Sequence, residues 1–307
     1  MNGGKTTVAR FHAYILTAVL IAFAGADHSA YCQDSPCITQ VKAEDFDGRN
    51  GKPGSAIIDA GEGVTFRLLP GSSKNALAGP PSAWMGIAIL DNTLTIRKLP
   101  DAYYLGYAYL KSGDVSFWMI GEYTGGAHCC ARYHFFSRPA PGIRLRYLGA
   151  TTGSSEGLDE EPFICRNGVV YFTDTDIRFL YFHTSYSQSI LTIPVYYRLD
   201  ATSLSVDNRP FRQNYLAVVH EIDDILSDVL RKRSTVPESI LLHDESEFFS
   251  DELGQLLVKR TILYLYAGED RKAWSTFDRD VRKYYGTRRT LGKIKREIKR
   301  ILKGTGY

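Results

Sequence analysis

A change of rhythm near residue 213 constrains this chain more than any other feature. Before it, from about Val41 to Arg212, apolar residues come in short alternating runs broken by Gly, Pro, Asn and Asp. That is the period-two pattern of strands that bury a face. The clearest runs are "SAIIDA", "GVTFRLL", "MGIAIL", "TLTIRKL", "YYLGYAYL", "SFWMIGEY", "ARYHFF", "IRLRYLG", "GVVYF", "IRFLYF" and "ILTIPVYYRL". After it, "RQNYLAVVHEIDDILSDVLRKR" sets Leu216, Val219, Ile222, Leu226, Val229 and Leu230 on one helical stripe. "FFSDELGQLLVKRTILYLYAG" and "EDRKAWSTFDRDVRKYYG" continue as two helices joined at Gly268, a residue suited to a left-handed cap. "TLGKIKREIKRILKG" adds a short helix with Leu291, Ile294, Ile298 and Ile301 on one side.

The expected fold is therefore α+β with segregated elements. An antiparallel all-β body over residues 27–212, either a sandwich or a partial propeller, precedes a helical region over 213–307 that ends in a basic helix. The long loops of the body fall at "GSSKNALAGPPSA" and "TTGSSEGLDEEP", on their Gly, Ser and Pro content. "LYLYAGEDRKAWSTFDRDV" faintly resembles one tetratricopeptide-type unit, but no second copy follows, so it reads as an αα-hairpin.

The first 26 residues belong to neither part. Lys5 and Arg10 precede an uncharged apolar run, Ala13 to Ala26, which ends in the small residues Ala24, Gly25 and Ala26. This is the layout of a signal peptide cleaved before Asp27. The run is shorter than the roughly 20 residues that span a bilayer comfortably, and no other stretch is apolar enough to do so. The chain is expected to be exported, periplasmic or secreted, and soluble after cleavage. That location disfavours nucleic acid as a partner.

The most chemically pointed stretch is "GGAHCCARYHFF", residues 125–136, where a histidine and two adjacent cysteines follow a glycine pair. Gly125 and Gly126 suit a tight hairpin between "SFWMIGEY" and "ARYHFF". The "YTGGAHCC" hairpin resembles one found in uncharacterised exported bacterial proteins, some of them distantly similar to FG-GAP or VCBS-like β-propeller blades. "TDIRFLYFHTSYSQSILTIPVYYRLD" is similar to the segment that accompanies it, so the resemblance covers 117–200. It implies a β-rich exported protein and brings no assigned reaction. The FG-GAP turn and its calcium loop are not evident in this sequence.

Three chemistries compete for His128, Cys129 and Cys130. A thiolate pair with an imidazole suits zinc or copper(I), although no cofactor is required by the rest of the chain. Successive strand residues point to opposite faces, which makes adjacent cysteines poor chelators. Pairing is the default in an oxidising compartment. The five cysteines are Cys32, Cys37, Cys129, Cys130 and Cys165. Cys32 and Cys37 can close a small loop, and Cys165 can take one of the adjacent pair, or Cys129 and Cys130 can close on each other. The third reading is a redox thiol pair, activated by His128 and Arg132.

Other motifs are weaker. "GSSEG" matches the hydrolase pattern around Ser155, but a loop follows it, with Asp176 and His183 or His220 as the available partners. "DFDGRNGKPG" offers Asp45, Asp47 and Asn50 but puts Arg49 and Lys52 where calcium ligands belong. "TDTD" sets Asp174 and Asp176 on one strand face with Arg178 following, a pattern equally suited to a surface ion pair. Tyr103, Tyr107 and Tyr109 share a strand face, either as core or as an aromatic platform for a ligand.

Charge singles out the other end. The chain carries a formal net charge of +3, yet residues 281–307 place many Lys and Arg against Glu297 alone, leaving the rest of the mature chain net negative. Arg288, Arg289, Lys293, Arg296, Lys299 and Arg300 are candidate contacts for an anionic membrane surface, another envelope component or a protein partner. The alternative is that this helix docks on its own acidic body. Together these features point to an exported, non-enzymatic binding or scaffold protein of the cell envelope. A metal or thiol-redox protein using the hairpin is the alternative, and a hydrolase of envelope material the second alternative.

Overall fold

The computed structural model describes residues 37–38, 40–45, 57–70, 84–123, 131–151, 162–180, 182–183, 189–233, 248–249, 251–285 and 288–303, without the side chains of 40–45, 70, 84–85, 101–103, 230, 232–233 and 288–290. Contacts divide the chain into Met1–Pro36 and Cys37–Tyr307, and everything below belongs to the second unit.

Twelve strands are described: β1 (Gln40–Asp45), β2 (Ile57–Asp59), β3 (Val64–Pro70), β4 (Trp84–Asp91), β5 (Leu94–Ser112), β6 (Val115–Tyr123), β7 (Ala131–Arg138), β8 (Arg146–Ala150), β9 (Phe163–Arg166), β10 (Val169–Thr175), β11 (Pro194–Asp200) and β12 (Ser203–Val206). A 3-10 turn at Arg209–Phe211 leads to the helices α1 (Arg212–Arg233), α2 (Glu252–Tyr266), α3 (Asp270–Tyr285) and α4 (Arg288–Leu302). The fold is α+β. An eight-stranded sheet runs β2-β3-β4-β5-β6-β7-β8 with β1 on β5, and a four-stranded sheet runs β12-β11-β10-β9.

Alternation along each strand builds three cores. On β6, Trp118 and Ile120 point to one side of the first sheet with Phe66, Ile89 and Phe136. Phe117 and Met119 point to the other, where they meet Phe172, Val195 and Tyr197 of the second sheet. The two sheets therefore pack face to face, and the middle strands are buried on both sides. Tyr171 and Tyr196 project from the far face of the second sheet into a third core with α1–α4. Gly254 lets α2 reach that core, because a Cβ there would overlap the Phe248 carbonyl oxygen.

The first sheet also curls on itself. The turn before β3 touches strands two and three places beyond β3: Tyr109 Oη of β5 donates to Glu62 Oε1 at 2.9 Å, and Trp118 Nε1 of β6 donates to Ala60 O at 3.0 Å. Arg138 pins this closure. Its guanidinium donates to Asp91 at 2.7 Å, to Glu62 O and to Ile143 O, and lies 5.2 Å from the Trp118 ring. Asp91 accepts in turn from Leu145 N at 2.8 Å. Each buried charge thus has a full set of partners, which such a pair requires.

Two strand expectations change. "TLTIRKL" and "YYLGYAYL" join as the single strand β5, and irregular register at Tyr104/Gly106 absorbs the bend. "IRFLYF" is not a strand: Ile177–Leu180 turn, with Leu180 N bonded to Ile177 O. Asp176 is the cause, since its carboxylate accepts from Arg178 N at 3.1 Å and offers the backbone a local alternative to a ladder. The loops at 71–83 and 152–161 lie outside the described residues.

Candidate functional site

The basic helix is part of the core. Leu291, Ile294, Ile298 and Leu302 are all buried against the second sheet and the other helices, which consumes the apolar stripe. What remains outward is cationic: Lys293, Arg296, Lys299, Arg300 and Lys303 are exposed. Docking of this helix on its own body is thus hydrophobic as well as ionic. The ionic part is small, with Lys295 on Asp278 at 2.8 Å and Glu297 on His183. Among the described residues, no carboxylate pairs with Arg296, Lys299, Arg300 or Lys303. Trp274 of α3 lies beside them, its ring 5.3 Å from Lys295 Nζ and 5.2 Å from Lys299 Nζ. A shallow concavity of about 490 Å³ opens there, lined by Leu265, Asp270, Arg271, Trp274, Lys299 and Lys303. The side chains of Arg288 and Arg289 lie outside the described residues.

A second charged cluster forms between the last residues of β6 and the first of β7. Glu122 faces Arg132 across the ladder, and His134 pairs with Ile120 two places further along the same face. His134 and Glu122 are buried at 3% and 6% exposure. Tyr147 of β8 reaches His134 Nδ1 at 3.0 Å, and Arg97 of β5 stacks 3.9 Å above the Tyr147 ring. Burial pushes the Tyr147 phenol above its ordinary value; Arg97 acts against this and Glu122 with it.

From the sequence, His134 lies six residues after His128 and shares its face only if the strand runs unbroken. Glu122 was not legible beside it, because a tight turn at Gly125 and Gly126 would put it on the opposite face from His134, whereas the observed register pairs it with Arg132. Tyr147 was not, because the β7–β8 register shifts between Phe135 and Phe136.

The remaining candidates scatter. Cys165 bonds to Cys37, with a Cα separation of 5.8 Å. This corrects both expected pairings, Cys37 with Cys32 and Cys165 with Cys129 or Cys130. The physical reason is that Cys37 and Phe163 flank the same inter-sheet core, which places β9 beside the approach to β1. Cys32, His128, Cys129, Cys130 and Ser155 lie outside the described residues, as do Asp47, Arg49, Asn50 and Lys52. Tyr107 and Tyr109 are core residues at 0% and 7% exposure, so as binding candidates they are corrected; the curl of the first sheet encloses the face they share. The Tyr103 side chain lies outside the described residues.

Asp174 and Asp176 are buried rather than superficial. Asp176 is held by Arg178 and by the Tyr266 hydroxyl, and Arg178 Nη1 also donates to Ile301 O. Burial, reinforced by the Asp176 charge, pushes Tyr266 far above its usual value, so the phenol stays protonated and the knot is structural. His183 stacks on Phe249 at 4.4 Å and binds Glu297, while His220 is exposed on α1. Neither pairs with Asp176 among the described residues. No group of three or more His, Cys, Asp or Glu able to hold a metal ion occurs among the described residues.

The fold and these charges define an α+β sandwich that carries a cationic helical side. No protein-family model, curated protein or solved structure matches the chain.

Proposed function

We propose that this is an exported binding protein that docks on an anionic lipid surface of the cell envelope through the outward face of α4. The observation that carries this is the combination of a buried apolar stripe with four cations that have no carboxylate partner among the described residues, Arg296, Lys299, Arg300 and Lys303. A helix whose apolar side is already packed cannot insert, so attraction rests on charge. Each Lys or Arg near an anionic leaflet contributes about 1 kcal/mol, giving roughly 4 kcal/mol for the four. Binding of that size is reversible and weakens within a Debye length of about 8 Å at physiological salt.

Sedimentation with phosphatidylglycerol-containing and pure phosphatidylcholine vesicles tests it. Retention on the anionic vesicles alone, lost at high salt and in the variant Arg296→Gln/Lys299→Gln/Arg300→Gln/Lys303→Gln, is expected. Equal retention of the variant, or equal retention on neutral vesicles, would overturn the reading. Salt-sensitive capture by a soluble acidic protein without vesicle binding would move the partner from lipid to protein.

A further inference from the structure

His134 stands between two groups that make opposite demands on it. Its Nε2 is 3.0 Å from Glu122 Oε1, off the line of a hydrogen bond but within pairing distance, and its Nδ1 is 3.0 Å from Tyr147 Oη. An ionised carboxylate has no proton to give, so the neutral ring keeps its hydrogen on Nε2 and offers a lone pair at Nδ1. Tyr147 then donates to Nδ1. Burial raises the Tyr147 pKa and so holds the phenol in its protonated, donating form.

The neighbouring strands supply the other charged and titratable groups. Arg97 comes from β5, and Tyr104 of β5 lies opposite Glu122 in the register. Arg132 of β7 is 3.8 Å from Glu122 Oε1. Both guanidiniums are exposed, and Arg97 has no carboxylate partner among the described residues. Two cations and one carboxylate leave a net positive charge around a phenol that points one donor inward.

We infer that this end of the first sheet is a binding site for a small oxyanion, a carboxylate or a phosphate-type group, whose affinity is coupled to proton uptake at His134. Arg97 and Arg132 present guanidinium forks that match such a group. When His134 takes a proton from solvent, an N–H bond forms at Nδ1 and the lone pair that held Tyr147 is gone. The imidazolium donates to Tyr147 Oη instead, and the phenolic O–H turns outward toward the anion. One proton enters and no other covalent bond changes. The anion gains one hydrogen-bond donor and one nearby positive charge, while Glu122 compensates the buried imidazolium. By reciprocity, bound anion makes His134 hold its proton more tightly. This site is independent of the α4 face.

Titration of the full chain with sulfate and with acetate, read by 15N signals of the Arg97 Nε and the His134 ring, tests the coupling. Saturable shifts at both residues are expected, with affinity rising up to about tenfold for each pH unit lowered above the His134 titration. Response to sulfate, to acetate or to both supports the site and assigns its chemistry. Arg97→Gln should weaken binding about tenfold at every pH, equivalent to about 1.4 kcal/mol.

His134→Gln should make affinity independent of pH, and Tyr147→Phe should weaken binding only on the acid side. Affinity that does not change with pH in the wild type, pH dependence that survives in His134→Gln, or no shift at Arg97 and His134 would each overturn the inference. Should His134→Gln fail to fold, the wild-type ring titration suffices: whichever of the two anions shifts Arg97 must also displace the ring titration upward, and no displacement by it refutes the coupling. The quadruple α4 variant separates the two sites, because the Arg97 response must survive there; its loss would assign the anion to α4 instead.

Discussion

Replacing Cys37 and Cys165 together by alanine removes the one covalent link between the two sheets among the described residues. The residues are separated by 128 positions, and Cys37 leads toward β1 while Cys165 lies on β9, the edge of the second sheet. For a loop of this size the chain-entropy account gives about 5 kcal/mol of constraint on the unfolded chain. Residual compactness of the denatured chain trims this. Both cysteines are only half-buried, so the lost apolar area adds no more than about 1 kcal/mol. The Cys37 N–H to Cys165 Sγ contact at 3.2 Å disappears as well. The net loss expected is about 3 to 5 kcal/mol. With a urea slope of about 3 kcal/mol/M, the unfolding midpoint falls by about 1 to 2 M. Urea unfolding followed by tryptophan fluorescence, with peptide mapping of the non-reduced protein, measures both halves of the claim. An unchanged midpoint at unchanged slope would refute the energetic reasoning. A peptide joining Cys37 to Cys32, or Cys165 to Cys129 or Cys130, would refute the geometry.

Ile298→Ala should destabilise by about 2 to 4 kcal/mol in the same assay, since the side chain is fully buried, whereas Arg300→Gln should stay within about 0.5 kcal/mol. Gly254→Ala should cost about 1 to 3 kcal/mol despite the better helix propensity of alanine, because the added methyl displaces the Phe248 backbone; a gain in melting temperature would contradict this. Burial lowers the Lys259 pKa to about 8, so the unfolded chain holds that proton to higher pH than the folded one does. Stability should therefore rise between about pH 8 and pH 10, by up to roughly 3 kcal/mol, and Lys259→Met should remove that rise. Urea midpoints compared at the two pH values decide it.

The period change near residue 213 carried the division into strands and helices because burial of a face imposes itself directly on spacing. Gly268, with a φ of 75°, takes the left-handed cap that its position predicted, and Glu269 N closes it on Tyr264 O at 2.8 Å. Short strands were harder to see. "FICR" and "SLSV" offer too few alternations to stand out, and they become strands through pairing with β10 and β11. "IRFLYF" failed for the opposite reason: its composition suits a strand, but a single carboxylate at Asp176 redirects the backbone. The tyrosine row was readable as a face, but not as an enclosed one, because the curl of the first sheet depends on Arg138 meeting Asp91 and Glu62 from distant positions. The Glu122–His134–Tyr147 line follows the same logic, since three strands must be in register before its groups meet.

The edges of both sheets bear on how this protein behaves at high concentration. Extension of one sheet by another molecule needs a long, straight row of unpaired backbone groups. The described edges are short: six residues in β1, three in β2, five in β8, four in β9 and four in β12. The six-residue β1 covers part of β5, and β5 itself keeps its nineteen residues among β1, β4 and β6. Backbone-to-backbone recruitment of further copies therefore has little purchase on these described strands.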